Sequence, residues 1–131
     1  MPGIDESLVE AIRLPGARGA SLVDWISGLA LGAVGDAPGG DWEATAAQTA
    51  ELARHVAENA SLGAGGIAET DKEPAVEDLI ATTGDAYHLL RFVRTPFDST
   101  VFLHLWLDRN DGNLALARIR LAELAERLVL G

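Results

Sequence analysis

The spacing of hydrophobic and polar positions changes several times along this chain, and each change marks an element. Near the start, Leu8, Val9 and Ile12 recur at helical spacing. This predicts a short helix, with Asp5 or Ser7 as its cap. Leu14-Pro15-Gly16 ends it, because Pro disfavours a helical residue before it and Gly supports a turn. Two apolar runs follow, Ala20–Ile26 and Leu29–Val34, separated by Ser27-Gly28. Val23, Trp25 and Ile26 favour strand, and Ser-Gly between two apolar runs predicts a tight hairpin. Residues 35–41, GDAPGGD, read as a loop.

From Asp41 the period becomes helical, and the pattern predicts a helix to about Leu62 with Asp41 as its cap. On a helical projection Trp42, Ala46, Thr49, Ala50, Leu52, Ala53, Val56, Ala57 and Ala60 fill one broad arc. Glu43, Glu51, Arg54, His55 and Glu58 take the other side. One flank of the arc is alanine, and small side chains let another backbone approach closely. Two readings stand: a second copy of this helix packs there, or the alanines serve a tight contact within the chain.

Residues 63–74 read as a polar loop, and strands are expected at 76–83, 86–95 and 99–108. In the last of these, Val101, Leu103, Leu105 and Leu107 point one way and Phe102, His104 and Trp106 the other. A strand apolar on both sides is covered on both sides. The strand at 76–83 carries Glu77, Asp78, Thr82 and Thr83 and reads as a sheet edge. Asn110, Asp111 or Asn113 caps a final helix to about Leu130, whose buried stripe is Leu114, Ala117, Leu121, Leu124, Ala125 and Leu128. Leu116 and Ile119 fall outside that stripe; they either touch a partner or pack on the first helix, and the second is the favoured expectation. The order is α-β-β-α-β-β-β-α. The fold class is α+β, an α/β sandwich of one five-stranded, mostly antiparallel sheet with helices on both faces.

Composition narrows the picture. The 131 residues suit a single domain, 1–131, and 48% hydrophobic residues suffice for a core. No apolar run reaches the roughly 18 residues a membrane helix needs, and acids stand where a signal peptide has basic residues. A cytoplasmic protein without membrane insertion is expected. Nine Arg to one Lys and abundant Ala suggest a GC-rich, bacterial genome. The net charge of −10 is uneven: residues 1–89 carry −11 and residues 90–131 carry +1. Such a surface repels phosphate backbones, which argues against nucleic acid, and attracts a basic partner.

Candidate chemistry is sparse. A phosphate-binding loop needs a Lys after its glycines. Gly35, Gly39 and Gly40 lead into Asp41-Trp42, and Gly63, Gly65 and Gly66 are likewise not followed by one. The absence of cysteine removes thiolate zinc sites and a thiol nucleophile. His88 and His104 lie on neighbouring strands and could be close, but two imidazoles without a third ligand make a weak metal signal. Residues 108–113, DRNDGN, fail as a calcium loop because Asn113 stands where Gly is needed and Ile119 where the bidentate Glu belongs. No enzymatic activity, cofactor or metal is therefore expected.

The element order, together with residues 12–32, IRLPGARGASLVDWISGLALG, resembles the roadblock/dynein light chain family. Its members share a helix, a Pro-Gly turn, an apolar strand that ends in Asp, and a Gly-Leu turn into a second strand. The likeness extends from about Ser7 to Leu130. It implies a profilin-like fold and a homodimer in which third strands pair across the axis and second helices pack side by side. The alanine flank and the polar edge place that interface at Ala46, Ala50, Ala53, Ala57, Val76, Asp78 and Ile80. The resemblance also implies a non-catalytic regulator of a small Ras-like GTPase, with Glu43, Glu51 and Glu58 as candidate partner contacts. The alternative is a structural dimer that scaffolds a signalling or sensor-kinase complex.

Overall fold

The computed structural model of the chain describes residues 3–58, 76–93 and 100–130. The elements run α1 (Ile4–Ile12), β1 (Ala17–Asp24), β2 (Leu29–Gly35), α2 (Trp42–Glu58), β3 (Asp78–Thr82), β4 (Ala86–Val93), β5 (Val101–Asp108) and α3 (Leu114–Leu130). The order matches the expectation from the sequence. The expected extension of α2 to Leu62, with Ala60 on its arc, the loop at 63–74 and the loop around Pro96 lie outside the described residues.

All strand pairs are antiparallel, and the spatial order is β2-β1-β5-β4-β3. The first and last strands to pair are therefore joined in the middle, where β1 lies beside β5. The double apolar alternation of β5 explains why it sits centrally. Leu103, Leu105 and Leu107 face a core with Leu8 and Ala11 of α1 and Leu121, Leu124 and Ala125 of α3. Phe102 faces the other core, with Val23, Leu90, Phe92 and Ala46, Ala50 and Ala53 of α2. Helices thus cover both faces, α1 and α3 on one and α2 on the other. A fully buried Leu or Phe contributes about 2–3 kcal/mol by leaving water, so a strand with buried side chains on both faces adds to both cores.

Local chemistry sets the boundaries. Asp41 Oδ1 accepts the Glu43 N–H at 3.0 Å and caps α2, and Asn113 Oδ1 accepts the Leu116 N–H at 3.0 Å and caps α3. At α1 the expected cap is not used. The cap position is Gly3, without a side-chain bond, Asp5 and Ser7 are inside the helix, and Val9 is exposed beside buried Leu8 and Ala11. The hairpin also differs from expectation. Trp25 and Ile26 belong to a four-residue turn rather than to a strand, since Asp24 pairs with Leu29. The Asp24 carboxylate accepts the Ile26 and Ser27 N–H groups at 2.8 and 3.3 Å, and Gly28 closes the turn at φ +77°. An Asp that satisfies the turn's own donors outweighs the strand preference of Trp and Ile.

The favoured reading of Ile119 changes, and part of the α2 arc is left uncovered. Leu52 is 44% exposed and Ile119 is 60% exposed, so neither is covered within the chain. Leu116 does border a groove between α1 and α3, with Glu10, Leu14 and Leu124. The expected stripe of α3 is otherwise buried or packed on the core.

Candidate functional site

The sheet ends in β3, whose outer side is not paired among the described residues. Alternation along β3 sorts its side chains. Ile80 packs on the α1/α3 core, whereas Leu79, and Val76 just before the strand, pack on the core beneath α2. Asp78 lies on the α3 side, where it accepts from Arg118 Nε at 2.6 Å, with Arg91 Nη1 at 4.0 Å. Arg91 also reaches Glu77 at 3.5 Å. The Arg118 guanidinium is held more firmly protonated by its hydrogen bond to Asp78 and by that carboxylate's charge. Glu77 and Arg118 are exposed whereas Asp78 and Arg91 are partly buried, so the pairs with an exposed partner contribute little to stability.

α2 covers the neighbouring sheet face unevenly. Its Ala46, Ala50 and Ala53 are at most 1% exposed and lie against Val23, Leu90, Phe92 and Phe102. The close approach expected of this alanine flank is made to the chain's own sheet. These three alanines are therefore not available to a partner, a correction to the expected dimer interface. Ala57 and Val76 are partly buried at the same core, and Asp78 and Ile80 lie on the opposite face.

The two flanks of α2 differ. On one, Arg54 Nη2 donates to the Trp25 carbonyl at 3.2 Å, and Ala47 lies 3.8 Å from where a Cβ on Gly28 would stand. This flank faces the β1–β2 turn. At 100° per residue, Leu52, Thr49 and Val56 fall on the other flank, where Val56 packs on the core that also takes Leu79 of β3. Leu52, which lies on the apolar arc read from the sequence, is left exposed on that flank. Glu43, Glu51 and Glu58 are exposed and share an arc of about 80° on the side toward β1 and β2.

His88 and His104 are brought together as their strand positions allowed. His88 Nδ1 and His104 Nε2 are 3.0 Å apart. His104 is 1% exposed and lies edge-on to Trp42, with ring centres 6.2 Å apart. Burial holds its pKa down to about 3, and the His88 charge pushes the same way. The His88 pKa is also lowered by burial, against the pull of Asp85. His88 stacks on Trp106, over which Arg18 sits 3.9 Å from the ring centre. Neither Ser21 Oγ nor His104 Nδ1 has a hydrogen-bond partner among the described residues, although the two residues are register neighbours. This polar cluster under α2 had only one sequence signal, the two histidines. Ser21 gave none, because a lone Ser in an apolar run carries no indication of its face. Among the described residues, no three His, Asp or Glu side chains are grouped as a metal site would need, and no helix is long and apolar enough to cross a membrane.

No protein-family model matches the chain, and no curated protein sequence matches it significantly. Solved structures do. Myxococcus xanthus MglB superposes with a TM-score of 0.77 at 19% identity, covering 96% of this chain and 84% of that one. An MglB described as having a tetrameric arrangement gives 0.74 at 22% identity, covering 96% and 85%. A Roadblock/LC7 domain from Streptomyces avermitilis gives 0.62 at 20% identity, covering 95% and 92%. With five antiparallel strands between one helix and a pair, and with these neighbours spanning nearly its whole length, the chain has the roadblock fold.

Proposed function

We propose that this chain is a non-catalytic, homodimeric regulator that binds a small Ras-like GTPase in the bacterial cytoplasm and modulates its GTP hydrolysis or its localisation. The observation that carries this reading is the roadblock fold along nearly the whole chain, matched to MglB over 96% of its length. One of those neighbours is described as tetrameric, which supports assembly through surfaces of this fold.

In this reading two copies pair along β3, extending one sheet into the other and removing both free edges. Leu52 and Val56 of α2 meet their counterparts above that seam, and Ala57, Val76, Asp78 and Ile80 lie at or beside it. The second helices then form one surface across the dimer. Glu43, Glu51 and Glu58 lie on its acidic flanks and meet basic groups of the GTPase. The regulator acts by binding one arrangement of the GTPase switch segments better than the other, and needs no catalytic side chain of its own.

The deciding measurement is GTP turnover by a Ras-like GTPase encoded beside this protein, with and without it, alongside a pull-down. Altered turnover with binding supports the proposal. Binding with unchanged turnover and unchanged localisation moves the function to scaffolding, and absence of binding defeats it.

A further inference from the structure

The sheet has a second edge, β2, at the opposite end from β3. We propose that β2 is a docking strand for an extended segment of another protein, apolar in the middle and flanked by Lys or Arg, which adds to the sheet as a sixth strand.

Three observations point there. First, β2 lacks the two residue types that most often blunt a free edge, its one protection being the bulge at Leu31. From Leu29 to Gly35 it has no charged residue and no proline. Edges left free in soluble proteins are commonly blunted by such residues. Its inner side is paired with β1, and no described strand pairs with its outer side, although the Gly35 carbonyl at its end accepts from Trp42 Nε1 at 3.2 Å. Seven residues give a run of roughly 23 Å, enough for an incoming strand of ordinary length.

Second, the edge is apolar where side chains of an added strand would lie. Leu29 is 63% exposed, Leu31 48%, and Ile26 in the adjoining turn 58%. On one side the floor is already built: Ile4 and Leu8 of α1 press so close to Gly32 that a Cβ there would stand 2.8 and 3.2 Å from them. The register shift opposite Leu22 and Val23 leaves Leu31 without a partner on β1. A bulge of this kind bends the strand locally and re-aims a side chain, here that of Leu31.

Third, the charge around the edge is mostly negative, with Arg54 at the β1–β2 turn, hydrogen-bonded to the Trp25 carbonyl, as the base beside it. Between Arg18 and Arg54 the sequence holds five acids and no base. Asp24 and Asp36 bracket β2 at its two ends, and Asp5 of α1 lies beside Gly32. Arg18, the nearest base along the chain, has its guanidinium over the Trp106 ring. This frame selects an occupant with basic flanks. It also argues against a second copy of the chain, because antiparallel self-pairing of β2 brings acids of the two copies together at both ends.

The test is an amide-resolved NMR titration of the whole chain with the peptide Lys-Lys-Val-Thr-Val-Thr-Val-Lys-Lys, and with the same peptide carrying Glu in place of Lys. The expected result is shifts centred on residues 29–36, weakened several-fold by added salt, with the Glu peptide at least about tenfold weaker. Leu31→Lys, checked for an otherwise unchanged spectrum, should weaken the Lys peptide and strengthen the Glu peptide. No shifts up to about 1 mM peptide, shifts centred on β3, or equal binding of both peptides would overturn the proposal. Concentration-dependent shifts at residues 29–36 without peptide would assign the edge to a second copy instead.

Discussion

His88 Nδ1 and His104 Nε2 share a 3.0 Å hydrogen bond that ties β4 to β5 under the first turn of α2. The buried member stays neutral in the fold, with its pKa held near 3 mainly by burial, whereas in the unfolded chain it returns to about 6.5. Below pH 6.5 the unfolded state therefore binds a proton that the native state refuses. Stability from this group is fully present above pH 6.5 and is lost as pH falls toward 3. At pH 5 the loss is about 2 kcal/mol. Urea denaturation at pH 7 and pH 5 should show it, and His104→Gln should flatten that part of the profile. An unchanged slope in the variant would assign the pH dependence to other groups.

Leu52 and Ala53 are neighbours in sequence with opposite roles. Ala53 is fully buried against the sheet, so Ala53→Arg should destabilise the single chain by several kcal/mol, about 3 or more, through overpacking and a buried charge. Leu52→Glu should leave the fold within about 0.5 kcal/mol, since the side chain is half exposed, and should split the proposed dimer. Thermal melting and light scattering on the two variants separate these effects. A wild-type chain that is monomeric at micromolar concentration defeats the dimer.

Gly16 makes the turn after α1 possible. Its φ is +81°, and a Cβ there would stand 2.6 Å from Gly112 Cα. Its carbonyl accepts the Asp108 N–H at 2.7 Å, locking that turn to the end of β5. Gly16→Ala should cost at least about 2 kcal/mol, because backbone strain and a backbone collision add. A chemical-denaturation midpoint within error of wild type would contradict the close packing of these two turns.

Glu43, Glu51 and Glu58 are exposed along one flank of α2. If they meet the GTPase at the rim of an interface, reversing all three to Lys should slow association by about tenfold or more and remove most of its salt dependence, with a smaller effect on dissociation. Stopped-flow or surface binding kinetics at two salt concentrations measures this. Unchanged association would place these acids on a solvated face.

Much of this architecture is determined by the sequence itself. The order of elements, the cap at Asp41, the α3 stripe and the two-sided burial of β5 follow from period and local hydrogen bonding, which neighbouring residues carry; among Asn110, Asp111 and Asn113 the structure selected Asn113 as the α3 cap. The edge position of β3 follows too, because Glu77, Asp78, Thr82 and Thr83 are poor company for a buried strand. What only the tertiary structure decided is which neighbour each apolar surface meets. The alanine arc of α2 has the same pattern whether it packs on its own sheet or on a second helix; the placement of Val23, Leu90, Phe92 and Phe102 beneath it uses Ala46, Ala50 and Ala53 within the chain. Leu52 lies on the same apolar arc, about 100° or more around the helix from these three alanines, and is left exposed; the pattern alone does not say where along so broad an arc the cover stops. Strand order is equally non-local. Placing β1 beside β5 leaves β2 as the second edge, and that free apolar strand is invisible in a sequence where it reads as half of an ordinary hairpin.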